Sequence, residues 1–184
     1  MNIPAAAAKA HGTMRLPVGA TIALIWAVHA AIAMPFQEWM TPTEIVKFRD
    51  EQELTKRIGM YMSAAKLRLE KAGERLSGKS SAEGDPLEFH SVTDLVLGCR
   101  SAIRAAMISI QDQVSYKKAE NEELIKALKE LKGTTEDIRP ALEKIQKQAI
   151  EKRDEPLYNA VKECAQYADS AARGAKNAIE KMKK

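Results

Sequence analysis

The chain has 184 residues, of which 45% are hydrophobic, 29% charged and 5% aromatic. This length predicts one domain with a core of ordinary size. Two cysteines exclude a disulfide-dense scaffold, and nine glycines and seven prolines are too few for a collagen-like or disordered chain. A net charge of +4 does not by itself indicate nucleic-acid binding.

The beginning of the chain has the pattern of a secretory signal peptide. Residues 1–33 contain no acidic side chain, and Lys9 and Arg15 precede an apolar run over 16–33. The run ends in a small-x-small triplet, Ala31-Ile32-Ala33, of the kind that signal peptidase accepts. We therefore expect cleavage after Ala33.

Cleavage would leave a mature domain over 34–184 that is exported to the periplasm or the extracellular space. Met14 is an alternative start, because it would give a signal of more ordinary length. A membrane anchor over 16–33 is disfavoured by Pro17 and His29 and by a length near the lower limit of about 17–25 residues for a membrane span. A buried N-terminal helix is a third interpretation of this run.

Beyond residue 40 the apolar residues recur at spacings of three and four, which predicts an all-α fold. The capping-box sequence Thr41-Pro42-Thr43-Glu44 predicts the start of a helix over 42–76. Asp85-Pro86-Leu87-Glu88 repeats that start and predicts a second helix over 86–132. This segment contains a polar stretch over 116–123, where a break is the alternative. Since neither Gly nor Pro lies in that stretch, one continuous helix is favoured.

The remaining segment, 135–182, is predicted to form one helix or two. Pro140 and Pro156 can each begin a helix or bend one. The apolar stripe that starts at Leu157 keeps the heptad spacing of a coiled coil as far as Ala175.

Two architectures fit this pattern. The first is an elongated antiparallel hairpin that turns at Gly133, with the 42–76 helix packed along its open end. The second is an up-down four-helix bundle, which results if the chain breaks at Pro156. In the hairpin, the tip over 124–145 would project beyond the core and dock a partner.

Cys99 and Cys164 both lie on stripes predicted to face inward, at similar distances from the predicted turn. Because disulfides persist in oxidising compartments, export makes a Cys99–Cys164 disulfide a specific expectation. The alternative is two small apolar core residues, a common role for buried cysteines.

Few residues suggest catalysis or metal binding. His90 is the one histidine of 34–184, and no HExxH, GxSxG or Walker A motif is present. We expect no cofactor and no metal, with the methionines acting as core fillers. If the bundle binds a small ligand, its pocket is expected among the apolar side chains of the first two predicted helices, namely Tyr61, Met62, Cys99, Ile103 and Met107.

The sequence therefore predicts an exported, non-enzymatic bundle that acts through contact with another protein or with a second copy, as a scaffold, adaptor or chaperone-like module. The mature domain has 27 basic and 25 acidic residues, so nucleic acid is not an expected partner. A membrane is expected only if 16–33 is retained. The alternatives are a small-ligand or cofactor-binding bundle and a redox-sensitive sensory domain.

Overall fold

A computed structural model of the chain describes residues 39–116 and 120–183. Every regular element in those two ranges is an α-helix, which confirms the all-α prediction. The helices are α1 (Pro42–Asp50), α2 (Leu54–Leu76), α3 (Val92–Tyr116), α4 (Asn121–Asp137), α5 (Arg139–Lys152) and α6 (Glu155–Met182). The predicted signal peptide, with Met14, Ala31 and Ala33, lies outside the described residues.

The long helices pack as an up-down bundle of four rods, which is the second of the two predicted architectures. α4 and α5 together form one rod with a bend at Ile138. α2 packs on α3 and on the α4–α5 rod, and α6 packs on the same two neighbours. α2 and α6 therefore lie at opposite corners of the bundle.

The chain turns between the last two rods at Arg153 and Asp154, not at Gly133. α4 continues through Gly133 as far as Asp137, and Leu131, Thr134 and Thr135 around it are buried. The hairpin turn predicted at Gly133 is therefore wrong. A glycine does not end a helix by itself, and the buried side chains on both sides of Gly133 hold this segment in the helix. The 124–145 segment lies along the bundle and does not project as a tip.

The helix predicted over 42–76 is divided at residues 51–53, although neither Gly nor Pro lies there. The Arg57 guanidinium donates to the Glu51 carbonyl, 2.8 Å away, and stabilises the break. The break allows α1 to fold back on α2, where Phe48 stacks on Tyr61 with a ring-centroid distance of 4.4 Å. Burial of these rings explains why tertiary contacts override the local helical pattern.

The second long helix begins at Val92 and is not continuous over 86–132, because α3 ends at Tyr116 and α4 begins at Asn121. Ser91 and Asp94 form the N-terminal cap of α3, each side chain accepting a hydrogen bond from the other's backbone N–H. Asp85 instead caps a turn in the preceding loop, accepting from the Leu87 N–H at 2.9 Å. The helix start predicted at Asp85 is therefore wrong, and the Ser91-x-x-Asp94 pattern, which was not considered as a start, is the capping signal of α3.

The core joins all four rods and consists mainly of Leu, Ile and Ala. The predicted α6 stripe is buried from Leu157 through Val161 and Ala168 to Ala175. The alanines allow neighbouring helices to approach closely. Within the described ranges, no helix combines the length and the hydropathy needed to span a membrane.

Candidate functional site

The two cysteines meet in the core between α3 and α6. Cys99 and Cys164 are both fully buried, and their sulfur atoms are 3.6 Å apart although 65 positions separate them in the chain. A disulfide requires a sulfur–sulfur distance of about 2.05 Å, so the predicted bond is not formed in this structure. The predicted proximity of the two side chains is confirmed.

The environment of the pair keeps Cys99 protonated. The hydrogen bond with Cys164, followed by complete burial, raises the pKa of the Cys99 thiol well above its usual value, although the charge of Arg68 acts in the opposite direction. Because the thiolate is the reactive form, Cys99 is a poor nucleophile while the bundle is folded. This chemistry favours a structural pair over a rapidly exchanging one.

A buried arginine next to this pair attaches α1 to the bundle. Arg68 of α2 is 1% exposed, and its guanidinium donates to Glu44 of α1 at 2.7 and 2.9 Å. It also donates to the Ala64 and Trp39 carbonyls and lies over the Trp39 ring, 5.1 Å from the centroid. The guanidinium is thus surrounded by acceptors, as a buried charge requires.

Glu44 is ionised by the same contacts. Its burial alone would raise its pKa, but the hydrogen bonds from Arg68 and from the Thr41 backbone, with the charge of Arg68, outweigh burial and lower the pKa. Glu44 also completes the α1 capping box with Thr41. One carboxylate therefore caps α1 and neutralises the buried guanidinium.

The residues predicted to line a ligand pocket are packed into or against the core. Tyr61, Met62, Cys99 and Ile103 are 5% exposed or less, and Met107 packs against the same cluster while partly exposed. Two open grooves of about 230 and 220 Å³ lie elsewhere, along the contact of α6 with the α4–α5 rod. None of the five candidate residues lines either of these grooves.

One end of the bundle presents apolar side chains to solvent. The loop between α2 and α3 carries Phe89, which is 93% exposed, while Leu87 two positions earlier is buried. The Lys152 ammonium lies 3.5 Å from the Leu76 carbonyl, which places the end of α5, with Ile150 at 59% exposure, at the same end of the bundle.

The loop that carries Phe89 is tied to α2. The Arg75 guanidinium donates to the Leu87 and Glu88 carbonyls and to the Ser81 hydroxyl. Lys71 also pairs with Asp85 at 2.8 Å, and the hydrogen bond from Lys71 lowers the pKa of Asp85. Phe89 is therefore held outward on a braced loop.

No group of three or more His, Cys, Asp or Glu side chains in 39–116 and 120–183 is arranged to bind a metal ion. His90 is half-buried in the loop before α3, and Met62 is in the core. The prediction that the protein needs neither a metal nor a cofactor stays a prediction.

Neither Arg68 nor Phe89 was among the site residues predicted from the sequence. In the sequence, Arg68 has the appearance of a charged residue on the exposed face of a helix. Its burial depends on contacts with Glu44 and Trp39, which lie near it only in the folded chain. Phe89 lay inside a predicted helix. Its position immediately before the Ser91 capping sequence is the signal that could have placed it in a loop.

Comparison of this chain with known proteins finds no matching family model, curated protein or solved structure.

Proposed function

We propose that this protein is an exported, non-enzymatic helical bundle that acts through contact with another protein at the end that carries Phe89 and Ile150. The observation that carries the proposal is the 93% exposure of Phe89. Aromatic side chains are enriched at the centres of protein interfaces, because they bury a large area with little loss of side-chain freedom.

The bracing of the loop supports the same proposal. Docking costs conformational entropy when it orders a flexible segment. The hydrogen bonds from Arg75 and the Lys71–Asp85 ion pair already fix the loop on α2. Phe89 can therefore enter a partner's pocket at a smaller entropic cost than a side chain on a free loop.

Site-specific photo-crosslinking in the native cell tests this contact. A benzophenone amino acid replaces Phe89 in one variant and Lys144, an exposed residue on the side of α5, in the control. We expect a discrete adduct from position 89 and none from position 144, and the adduct mass distinguishes a second copy from another protein. Equal yields at the two positions would exclude a contact centred on Phe89.

We further propose that Cys99 and Cys164 form a disulfide in the exported protein. The separation of 3.6 Å between the sulfur atoms supports this, because a small approach of α3 and α6 would bring them to bonding distance. Oxidation removes two protons and two electrons from the two thiols as the sulfur–sulfur bond forms, and the oxidant is the disulfide-forming machinery of an export compartment. Bond formation is expected during folding, while the thiols are still accessible.

A redox-sensitive domain is the second candidate, and the same cysteine pair supports it. The two candidates differ in reversibility. A sensor would exchange its disulfide in the folded state, whereas burial and the raised pKa of Cys99 predict slow exchange. Alkylation of the native protein after mild reduction separates them: rapid labelling of both cysteines indicates a sensor, and labelling only after denaturation indicates a structural bond.

A further inference from the structure

The larger of the two grooves carries a surplus of positive charge. It is open to solvent, has a volume of about 230 Å³ and lies where α6 meets the junction of α4 and α5. Four basic and two acidic side chains line it: Lys132, Arg139, Arg173, Lys176, Glu136 and Asp169.

Both carboxylates of the groove are already paired. Lys132 pairs with Glu136 at 2.8 Å, and Arg139 of α5 pairs across the groove with Asp169 of α6. These ion pairs use two of the four cations. Among the described residues, neither Arg173 nor Lys176 has a carboxylate within 4.0 Å.

The two unpaired cations are placed to act on one ligand. Arg173 and Lys176 are three positions apart in α6, so they lie on neighbouring turns of the same helix face. Thr135, which is buried in the wall formed by α4, limits the depth of the groove. The volume suits a small anion and is below the roughly 300 Å³ at which pockets for drug-sized ligands begin.

We propose that this groove binds a phosphate dianion, either inorganic phosphate or the phosphate group of a small monoester, between Arg173 and Lys176. A guanidinium can donate two parallel hydrogen bonds to phosphate oxygens, and an ammonium adds a compact charge. Two negative charges on the ligand match the surplus of two positive charges in the groove. This site is separate from the Phe89 end and does not depend on the proposed contact function.

NMR titration of the purified full chain tests the proposal. The ligands are sodium phosphate and glycerol phosphate, each added at constant ionic strength with sodium chloride as the balancing salt. We expect saturable shifts of backbone amides near residues 132–139 and 169–176. Binding of inorganic phosphate alone indicates a free-phosphate site, and tighter binding of glycerol phosphate indicates a monoester site.

Two variants locate the binding. Arg173→Gln and Lys176→Gln remove exposed charges that do not contribute to the core, and circular dichroism verifies the fold of each variant. Each is expected to weaken binding by about tenfold, the effect of losing one charge-assisted hydrogen bond. Lys162→Gln, at an exposed position of α6 outside the groove, is the matched control and should leave the affinity unchanged.

Shifts that do not saturate, or that spread over surface lysines and persist in the Arg173→Gln and Lys176→Gln variants, would overturn the proposal. An equal loss of binding in Lys162→Gln would do the same, because it would indicate attraction by the overall charge of α6.

Discussion

The Arg68 side chain passes so close to α3 that only glycine fits at position 98. A Cβ atom on Gly98 would lie 2.9 Å from Cδ and 3.0 Å from Nε of Arg68. Arg68 has little freedom to move away, because its guanidinium is held by Glu44 and by the Trp39 and Ala64 carbonyls.

Gly98→Ala is therefore expected to destabilise the protein by about 1–3 kcal/mol, the usual cost of overpacking a core. Gly59→Ala is the control, because nothing lies within 4 Å of a Cβ at that position of α2. That substitution should stabilise the protein by about 0.5–1 kcal/mol through helix propensity alone. Urea denaturation measures both, and a stabilising Gly98→Ala would show that Arg68 is not confined as described.

Glu44 makes the stability of the protein depend on pH through its contact with Arg68. Because the pKa of Glu44 is lower in the folded chain than in the unfolded chain, its contribution is complete above its ordinary value of about 4.5 and is lost as the pH falls through the lowered folded value. Glu44→Gln is expected to cost about 2 kcal/mol at neutral pH, because a buried guanidinium loses its charged partner.

The difference between Glu44→Gln and the unaltered protein should shrink as the pH falls below about 4.5, as the wild-type carboxylate becomes protonated. Asp50→Asn, which removes an exposed carboxylate from the same helix, is the control for a general charge effect. Urea denaturation at pH 7 and pH 3 provides the comparison. A Glu44→Gln deficit of the same size at both pH values would rule out the linkage.

At the scale of the elements, the turn between α5 and α6 depends on one residue with left-handed backbone. Arg153 has φ 55° and ψ 36° and ends α5, and the Asp154 carboxylate then accepts from the Leu157 N–H at the start of α6. Residues other than glycine adopt this conformation at a cost of roughly 1–2 kcal/mol.

Arg153→Gly should therefore stabilise the bundle by about 1 kcal/mol, because glycine adopts positive φ without a steric penalty. Lys147→Gly, in the exposed interior of α5, is the matched control and should destabilise by about 1 kcal/mol. Thermal unfolding of the two variants checks the signs. A destabilised Arg153→Gly would mean that the arginine side chain contributes more than its backbone strain costs.

The element scale also shows which boundaries the sequence could predict. Helical class and the start of α1 at Thr41 follow from local patterns and were predicted. The sequence left open whether Pro156 begins a helix or bends one, and the structure places it in the first turn of α6. The breaks at 51–53 and after Tyr116 were not predicted, because no local breaker marks them. The first break depends on Phe48 packing on Tyr61, a contact that exists only in the folded chain.

At the scale of the whole molecule, the observed pairing of the rods differs from the pairing in the predicted hairpin, because the chain does not turn at Gly133. With the turn at Arg153 and Asp154, α6 pairs with α4 and α5, and α3 lies beside α6. Cys99 and Cys164 nevertheless lie close together. The helices α3 and α6 begin at the same end of the bundle, and each cysteine lies at a similar distance from the first residue of its helix. The cysteine proximity was thus predicted from a topology that the structure corrects.

A Cys99–Cys164 disulfide would close a loop that spans 65 positions. The chain-entropy relation gives about 4 kcal/mol of stabilisation for a loop of this size, through restriction of the unfolded chain. Urea unfolding of the exported protein before and after reduction should show a loss of that order. Cys99→Ala, which cannot form the bond, should be insensitive to reductant.

The most direct test of an exported, disulfide-tied bundle is the intact mass of the protein recovered from its native cell, measured with and without reduction before alkylation under denaturing conditions. We predict a chain that begins at Met34, whose unreduced mass is lower than that of the dithiol by two hydrogen atoms and which takes up the alkylating label only after reduction. A chain that begins at Met1 and takes up two labels without reduction would contradict both export and the disulfide.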